Sequence, residues 1–175
     1  MNTDLKKYIR TVKNFPKPGI MFRDITTLLK EPEGLKASFN ALVDFTEGLK
    51  IDKVVGIESR GFILGAMLAE KLNAGFVPIR KPGKLPAETV KEEYSLEYGT
   101  DAVEIHKDAI QPGESVLLHD DLLATGGTAK AAVNLIEKLG GKVVQVSFII
   151  ELSFLNGREK LKGYDVRSLI SYASE

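Results

Sequence analysis

Two adjacent carboxylates, Asp120 and Asp121, stand three residues ahead of Thr125-Gly126-Gly127-Thr128 in the stretch SVLLHDDLLATGGT, residues 115–128. The acids follow a short apolar run, Val116-Leu117-Leu118, of the kind that forms a strand buried in a parallel sheet. The glycine pair precedes Ala129 to Val133, which opens a helix pattern. A glycine-rich turn between a strand and a helix N-terminus presents unpaired N–H groups and the positive end of a dipole, and both suit a phosphate monoester. Gly126 and Gly127 let the backbone approach oxygen atoms, Ala124 shares the turn, and Thr125 and Thr128 add hydroxyl donors. A strand-end acid pair by itself could hold a metal or cap a helix. Beside a phosphate cradle, two carboxylates are natural acceptors for a sugar diol, so the ordered set describes a ribose 5-phosphate site.

A second turn of this kind is Glu58-Ser59-Arg60-Gly61, between the short strand expected at residues 53–57 and an apolar helix from Phe62 to Leu72. In isolation it reads as an ordinary helix cap with Ser59 capping and Arg60 on the surface. Next to a ribose phosphate site, a serine, an arginine and free amides read as a pyrophosphate clamp. The stretch RKPGKLPAETVKEEYSLEYG, residues 80–99, is charged and irregular, either a solvated hairpin or a lid. A lid has a chemical purpose here. Displacement at an anomeric carbon passes through an oxocarbenium-like state that water would capture. Arg80, Lys81 and Lys84 are placed to neutralise a departing pyrophosphate.

These elements must be positioned by a scaffold. The spacing predicts helices over residues 2–12, 33–49 and about 127–139, and strands at 53–57, 75–79, 116–118, 143–150 and 166–170. Residues 80–93 show no period, and 94–98 with 103–106 suggest a small antiparallel ribbon. Strands alternating with helices predict an α/β fold, a mostly parallel twisted sheet flanked by helices on both faces. Ligands then belong outside the carboxyl ends of the strands, where both turns fall.

Composition sets bounds. The chain has 175 residues, the size of one domain. Lys plus Arg and Asp plus Glu are 24 each, so no global field argues for nucleic acid or a membrane surface. The absence of cysteine excludes disulfides, Cys-ligated zinc and a thiol nucleophile, and is compatible with the reducing cytoplasm expected for this chain. The N-terminus lacks the apolar core of a secretory signal, and no apolar run is long enough to span a bilayer. His106 and His119 are read as structural.

VLLHDDLLATGGT resembles the 5-phosphoribosyl-1-pyrophosphate (PRPP) signature of the type I phosphoribosyltransferases. FPKPGIMFRD (residues 15–24), ESRGF, GKLP and YSLEYG extend the likeness to the adenine phosphoribosyltransferases over roughly residues 15–150. The resemblance implies a single domain over 1–175, with a small N-terminal hood at about 1–30 and a flexible lid at about 80–99. It implies that adenine and PRPP become AMP and pyrophosphate, with Mg²⁺ carried by PRPP, no direct protein ligands to the metal, and a cytoplasmic homodimer. Asp120, Asp121, Ala124, Thr125, Gly126, Gly127 and Thr128 would bind ribose and phosphate, and Ser59, Arg60, Lys81 and Lys84 pyrophosphate. Met21 and Arg23 would offer backbone groups to the adenine edge, Phe22 a wall, and Leu123 the opposite face. Glu97 would handle the base proton while Tyr98 covers the site, so Glu97, Arg60 and Tyr98 form the catalytic set. Some members carry an arginine where this chain has Pro82, and many have a cis peptide at the position of Glu58–Ser59. Transfer to hypoxanthine, xanthine or orotate is the nearest rival. A PRPP-sensing transcription regulator is the rival from another class, and it would want a winged-helix extension and a basic face.

Overall fold

The computed structural model describes residues 4–95 and 99–174. Five parallel strands form the central sheet in the order β4-β3-β7-β8-β9. They are β3 (Lys53–Ile57), β4 (Gly75–Ile79), β7 (Ser115–Leu123), β8 (Lys142–Leu152) and β9 (Val166–Tyr172). The middle of the sheet is buried on both faces, which is why β3 and the first half of β7 read as unbroken apolar runs. Helices α2 (Pro32–Asp44) and α3 (Gly61–Lys71) cover one face, where Leu42, Leu64 and Leu68 meet Val54, Leu117 and Ile150. Helix α4 (Gly127–Lys138) covers the other, packing Val133 and Ile136 near Val55, Leu118 and Val146.

Two small ribbons flank this frame. Strands β1 (Arg10–Lys13) and β2 (Met21–Asp24) pair antiparallel, and β5 (Thr89–Ser95) pairs with β6 (Thr100–His106). Val103 and Ile105 of β6 are buried in the α4-side core, and Val90 and Tyr94 of β5 pack against it. Among the described residues no helix is long and apolar enough to cross a membrane.

Four sequence expectations are corrected. The helix over 2–12 is a single 3-10 turn, Leu5–Tyr8, followed by β1. Of that turn's residues only Leu5 is buried, and pairing with β2 decides the rest. Helix α1 (Thr26–Lys30) follows β2, where none was expected. Residues 89–93, read as irregular, belong to β5. Glu92 sits on the inward-facing side of that strand and breaks the apolar alternation. Its carboxylate accepts from Asn134 Nδ2 at 2.8 Å and from Lys138 of α4. Finally, β7 runs on through the two acids, because Asp120 and Leu122 continue the backbone ladder against Phe148 and Ile150.

Candidate active site

The sheet order reverses between β3 and β7, and both critical turns leave the carboxyl ends of these two strands. That is the switch point where open parallel sheets bind ligands. A cavity of about 250 Å³ opens there, lined by Glu58, Ser59, Arg60, Lys81, Asp120, Asp121, Leu122 and Thr128 among others.

The cradle forms because β7 ends in a turn that α4 leaves without a side-chain cap. Gly126 is the N-cap, at φ 77°, a left-handed conformation that suits glycine. Lys130 N–H bonds back to the Gly126 carbonyl at 3.0 Å. The amides of Gly127, Thr128 and Ala129 lie ahead of that first intrahelical bond, so they are the donors a phosphate can take. Gly126 also lies against Gly157, whose carbonyl oxygen and carbon (3.1 Å) occupy the space a Cβ would need. Thr128 faces the cavity, while Thr125 is exposed.

The acid pair is engaged. Asp121 N–H donates to Asp120 Oδ1 at 2.8 Å, and Arg60 Nε donates to Asp121 Oδ2 at 2.5 Å. Burial, reinforced by the Asp121 charge, raises the Asp120 carboxyl well above its usual range. Burial alone would weaken the Arg60 proton, but the charge and hydrogen bond of Asp121 more than reverse this, so Arg60 stays cationic. Arg60, not Ser59, is the N-cap of α3, and the Glu58–Ser59 peptide is cis as the resemblance implies.

The remaining cations are paired as well. Glu58 accepts from Arg80 Nε at 3.2 Å, from Lys81 N–H at 3.0 Å and from the Lys84 amine. Burial works against its ionisation, yet these donors hold its carboxyl below the ordinary value. The Lys81 amine bonds Asp101 and donates to Tyr94 Oη at 2.9 Å. That Glu58, Tyr94 and Asp101 partner these cations is not visible in the sequence, because nothing local marks a carboxylate that partners a lysine 20 or 26 residues away. The Arg60–Asp121 pair, 61 residues apart, was hidden for the same reason.

The hood reaches the site through Phe22, whose ring centroid lies 5.5 Å from the Arg60 guanidinium carbon. Phe15 braces that ring edge-on at 5.1 Å. Met21 and Arg23 are two apart on β2, so their backbone groups point to the same edge of the strand. The Arg23 side chain turns elsewhere, over the Tyr172 ring at 4.0 Å. Leu123 is buried in the α4-side core and does not line the cavity; Leu122 does. Alternation along β7 explains the exchange, since neighbouring residues face opposite sides of a strand. Glu97 and Tyr98 lie outside the described residues. His119 is fully buried, its Nδ1 2.9 Å from Ser147 Oγ, and burial lowers its pKa to about 4, so it is neutral at physiological pH.

Comparison with known proteins agrees with this geometry. The family model for the phosphoribosyl transferase domain matches residues 25–171. An adenine phosphoribosyltransferase of Christiangramia forsetii is 60% identical over 170 residues, 97% of this chain and 99% of that protein. The crystal structure of adenine phosphoribosyltransferase from Thermoanaerobacter pseudethanolicus superposes with a TM-score of 0.94 at 53% identity, covering 97% of this chain and 98% of that one. The Saccharomyces cerevisiae enzyme, complexed with an imino-altritol bisphosphate and adenine, does so with a TM-score of 0.87 at 44% identity over 95% and 96% of the two chains. With the acid pair, the uncapped helix and the arginine turn gathered at one switch point, the chain belongs to the adenine phosphoribosyltransferase family of phosphoribosyl transferase domains.

Proposed function

We propose that the protein transfers the 5-phosphoribosyl group of PRPP to N9 of adenine, giving AMP and pyrophosphate in purine salvage. The observation that carries this reading is the single cavity shared by Arg60 and Lys81, the Asp120–Asp121 pair and Thr128 at the uncapped start of α4. One ligand with a phosphate, a diol and a pyrophosphate matches all three. The bond from C1 of ribose to pyrophosphate breaks as the bond to N9 forms, and the N9 proton leaves.

Each group then has a task. The amides from Gly127 to Ala129, with Ala124 and Gly126 shaping the turn and Thr125 and Thr128 adding hydroxyls, hold the 5-phosphate. Asp120 and Asp121 accept from the ribose hydroxyls. Ser59, Arg60, Lys81 and Lys84 receive the pyrophosphate. Met21 and Arg23 present backbone groups to the adenine edge, Phe22 forms a wall, and Leu122, which lines the cavity, takes the role that the resemblance gives to Leu123. Glu97 takes the base proton, and Tyr98, with the loop that precedes β5, closes the site against water. No covalent nucleophile is needed; alignment and charge stabilisation suffice.

Among the described residues no three His, Asp or Glu side chains converge as a metal cage, and Asp121 is taken by Arg60. That donor set fits an ion arriving with its own oxygen ligands. Mg²⁺ bound to PRPP would supply positive charge at the departing pyrophosphate. The same reading includes a homodimer in the cytoplasm, which sedimentation and fractionation test.

The decisive experiment is turnover with PRPP and Mg²⁺ against adenine, hypoxanthine, guanine, xanthine, uracil and orotate. Adenine should be preferred over hypoxanthine by at least about 10²-fold in kcat/KM, about 2.7 kcal/mol, because the reversed donor–acceptor edge leaves polar groups unpaired. Equal rates with both bases would remove the adenine assignment and leave the PRPP site standing.

A further inference from the structure

The turn after β8 is locked against the cradle from outside. Arg158 donates to both carboxylate oxygens of the buried Glu151, at 2.6 and 2.7 Å, and also to the Val166 carbonyl at 2.8 Å and Ser168 Oγ at 3.1 Å. Leu161 is buried in the α4-side core. Between these anchors Gly157 sits so close to the turn that a Cβ there would run into the Ala124 carbonyl. The 3-10 helix Gly157–Leu161 is therefore a fixed wall beside the phosphate turn, and it carries Lys160. A Cβ built on Gly127 would lie 3.9 Å from the Lys160 amine.

The charge balance of the cradle lacks a cation. A phosphate monoester arrives as a dianion beside the Asp120–Asp121 acid pair. The helix end contributes only about half a positive charge. Arg60 is held by Asp121, and Lys130, the other cation near that helix end, lies over the Tyr164 ring at 5.3 Å. Arg80, Lys81 and Lys84 are paired with Glu58 and Asp101. Among the described residues Lys160 pairs with no carboxylate.

We propose that Lys160 is a phosphate-binding residue of the active site, its amine neutralising the 5-phosphate of PRPP and AMP. The inference rests on the phosphoribosyl transfer reading and adds to it a charged side chain for a phosphate otherwise held by backbone amides and hydroxyls. A partly exposed, charge-assisted contact of this kind accounts for about a tenfold change in affinity.

The test compares Lys160→Met, which keeps the apolar stem, with Lys160→Arg, which keeps the charge. AMP and adenosine binding are titrated at two salt concentrations, and steady-state constants are measured for PRPP and adenine. In Lys160→Met the AMP Kd and the PRPP KM should rise about tenfold, and the salt dependence of AMP binding should weaken. Adenosine binding, adenine KM and the melting temperature should stay as in the wild type, and Lys160→Arg should recover most of the loss. Unchanged AMP and PRPP constants in Lys160→Met would overturn the proposal, as would an equal loss of adenosine binding or equal losses in both variants. If the wild-type protein itself neither binds AMP nor turns over adenine, the transfer reading fails, and the role of Lys160 falls with it.

Discussion

Gly126→Ala should damage the fold and the cradle together, through its contact with Gly157. Gly126 has φ 77°, and an L-residue with a Cβ in that left-handed region costs about 1–2 kcal/mol. The new methyl would also press into the Gly157 carbonyl, 3.1 Å from its carbon and 3.2 Å from its Cα. These are backbone atoms of a clamped turn, so relief requires moving the turn, an overpacking cost of about 1–3 kcal/mol. The sum is about 2–5 kcal/mol, which for a chain of this size lowers the melting temperature by roughly 4–20 °C. AMP affinity should fall as well, because the strain is relieved by rotating the amides that receive the phosphate. Gly127 makes the control. It has no positive φ, and the nearest atom that a Cβ there meets belongs to a side chain, the edge of the Tyr94 ring at 3.2 Å. Gly127→Ala should melt within about 4 °C of the wild type, since its destabilisation stays below about 1 kcal/mol. Gly127→Val should still weaken AMP strongly while sparing adenine. Circular dichroism melts with and without AMP, paired with calorimetric titration, check both arms. A Gly126→Ala protein with wild-type melting would refute the interlock, and one that melts early yet binds AMP normally would refute the cradle.

Trypsin should nick the free protein at Lys84, which lies in an exposed turn, and much more slowly at Lys91, which is paired with Glu104 in the ribbon; saturating Mg²⁺ and PRPP should slow the Lys84 cut, and identical cleavage with and without ligand would leave the segment as a plain surface loop. Glu97→Gln should lower kcat more than it weakens PRPP binding, measured by single-turnover rates beside PRPP titration, if the residue acts on the base proton. Burial alone would raise the Asp24 carboxyl, but the Thr26 N–H, Arg10 and the Thr26 hydroxyl bring it down from 3.8 to about 2. A depressed carboxylate stabilises the fold above its unfolded value and loses that contribution as pH falls from about 4 through 2, here about 2 kcal/mol. Urea melts of Asp24→Asn should therefore show a flatter pH dependence than the wild type across that window.

The parts of this molecule that were legible in the sequence are those whose physics is local. The strand–turn–helix order around Thr125-Gly126-Gly127-Thr128 places amides and dipole within a few residues, so the cradle could be read without knowing what lies opposite. Strands β3 and β8 announce themselves because their middles are buried on both faces and are mostly apolar, Val54 to Ile57 and Val146 to Ile150. Strand β5 was obscured by one residue, Glu92, whose inward carboxylate is satisfied by Asn134 and Lys138 more than 40 residues away. The N-terminal turn shows the opposite failure. Leu5, Tyr8, Ile9 and Val12 have helical spacing, but the segment needs only one turn to bury Leu5 before β2 claims the next four residues. The exchange of Leu122 for Leu123 has a comparably small cause. A strand that continues through its acids keeps the two-residue alternation going, and one residue decides which leucine meets the cavity.

The ion pairs of the cavity carry an energetic consequence for the proposed reaction. Every cation expected at pyrophosphate already has a carboxylate partner: Arg60 has Asp121, Arg80 and Lys84 share Glu58, and Lys81 has Asp101. An unpaired charge in a half-buried cleft is costly, and these pairings remove that cost in the free protein. In the proposed reaction pyrophosphate would exchange with these carboxylates, so its affinity would reflect a difference between two sets of ion pairs. The exchange at Arg60 has a second effect. When its guanidinium turns to a phosphate oxygen, Asp121 Oδ2 loses its donor and becomes free to accept from a ribose hydroxyl. On the proposed reading, binding at the pyrophosphate end would thereby prepare the diol end, and PRPP is the ligand that carries both groups. AMP, which lacks the pyrophosphate, leaves Arg60 on Asp121 and must find its hydroxyl acceptors in competition with that pair. On the proposed reading, the pairing of Arg60 with Asp121 would thus favour the PRPP complex over the AMP complex at the acid pair.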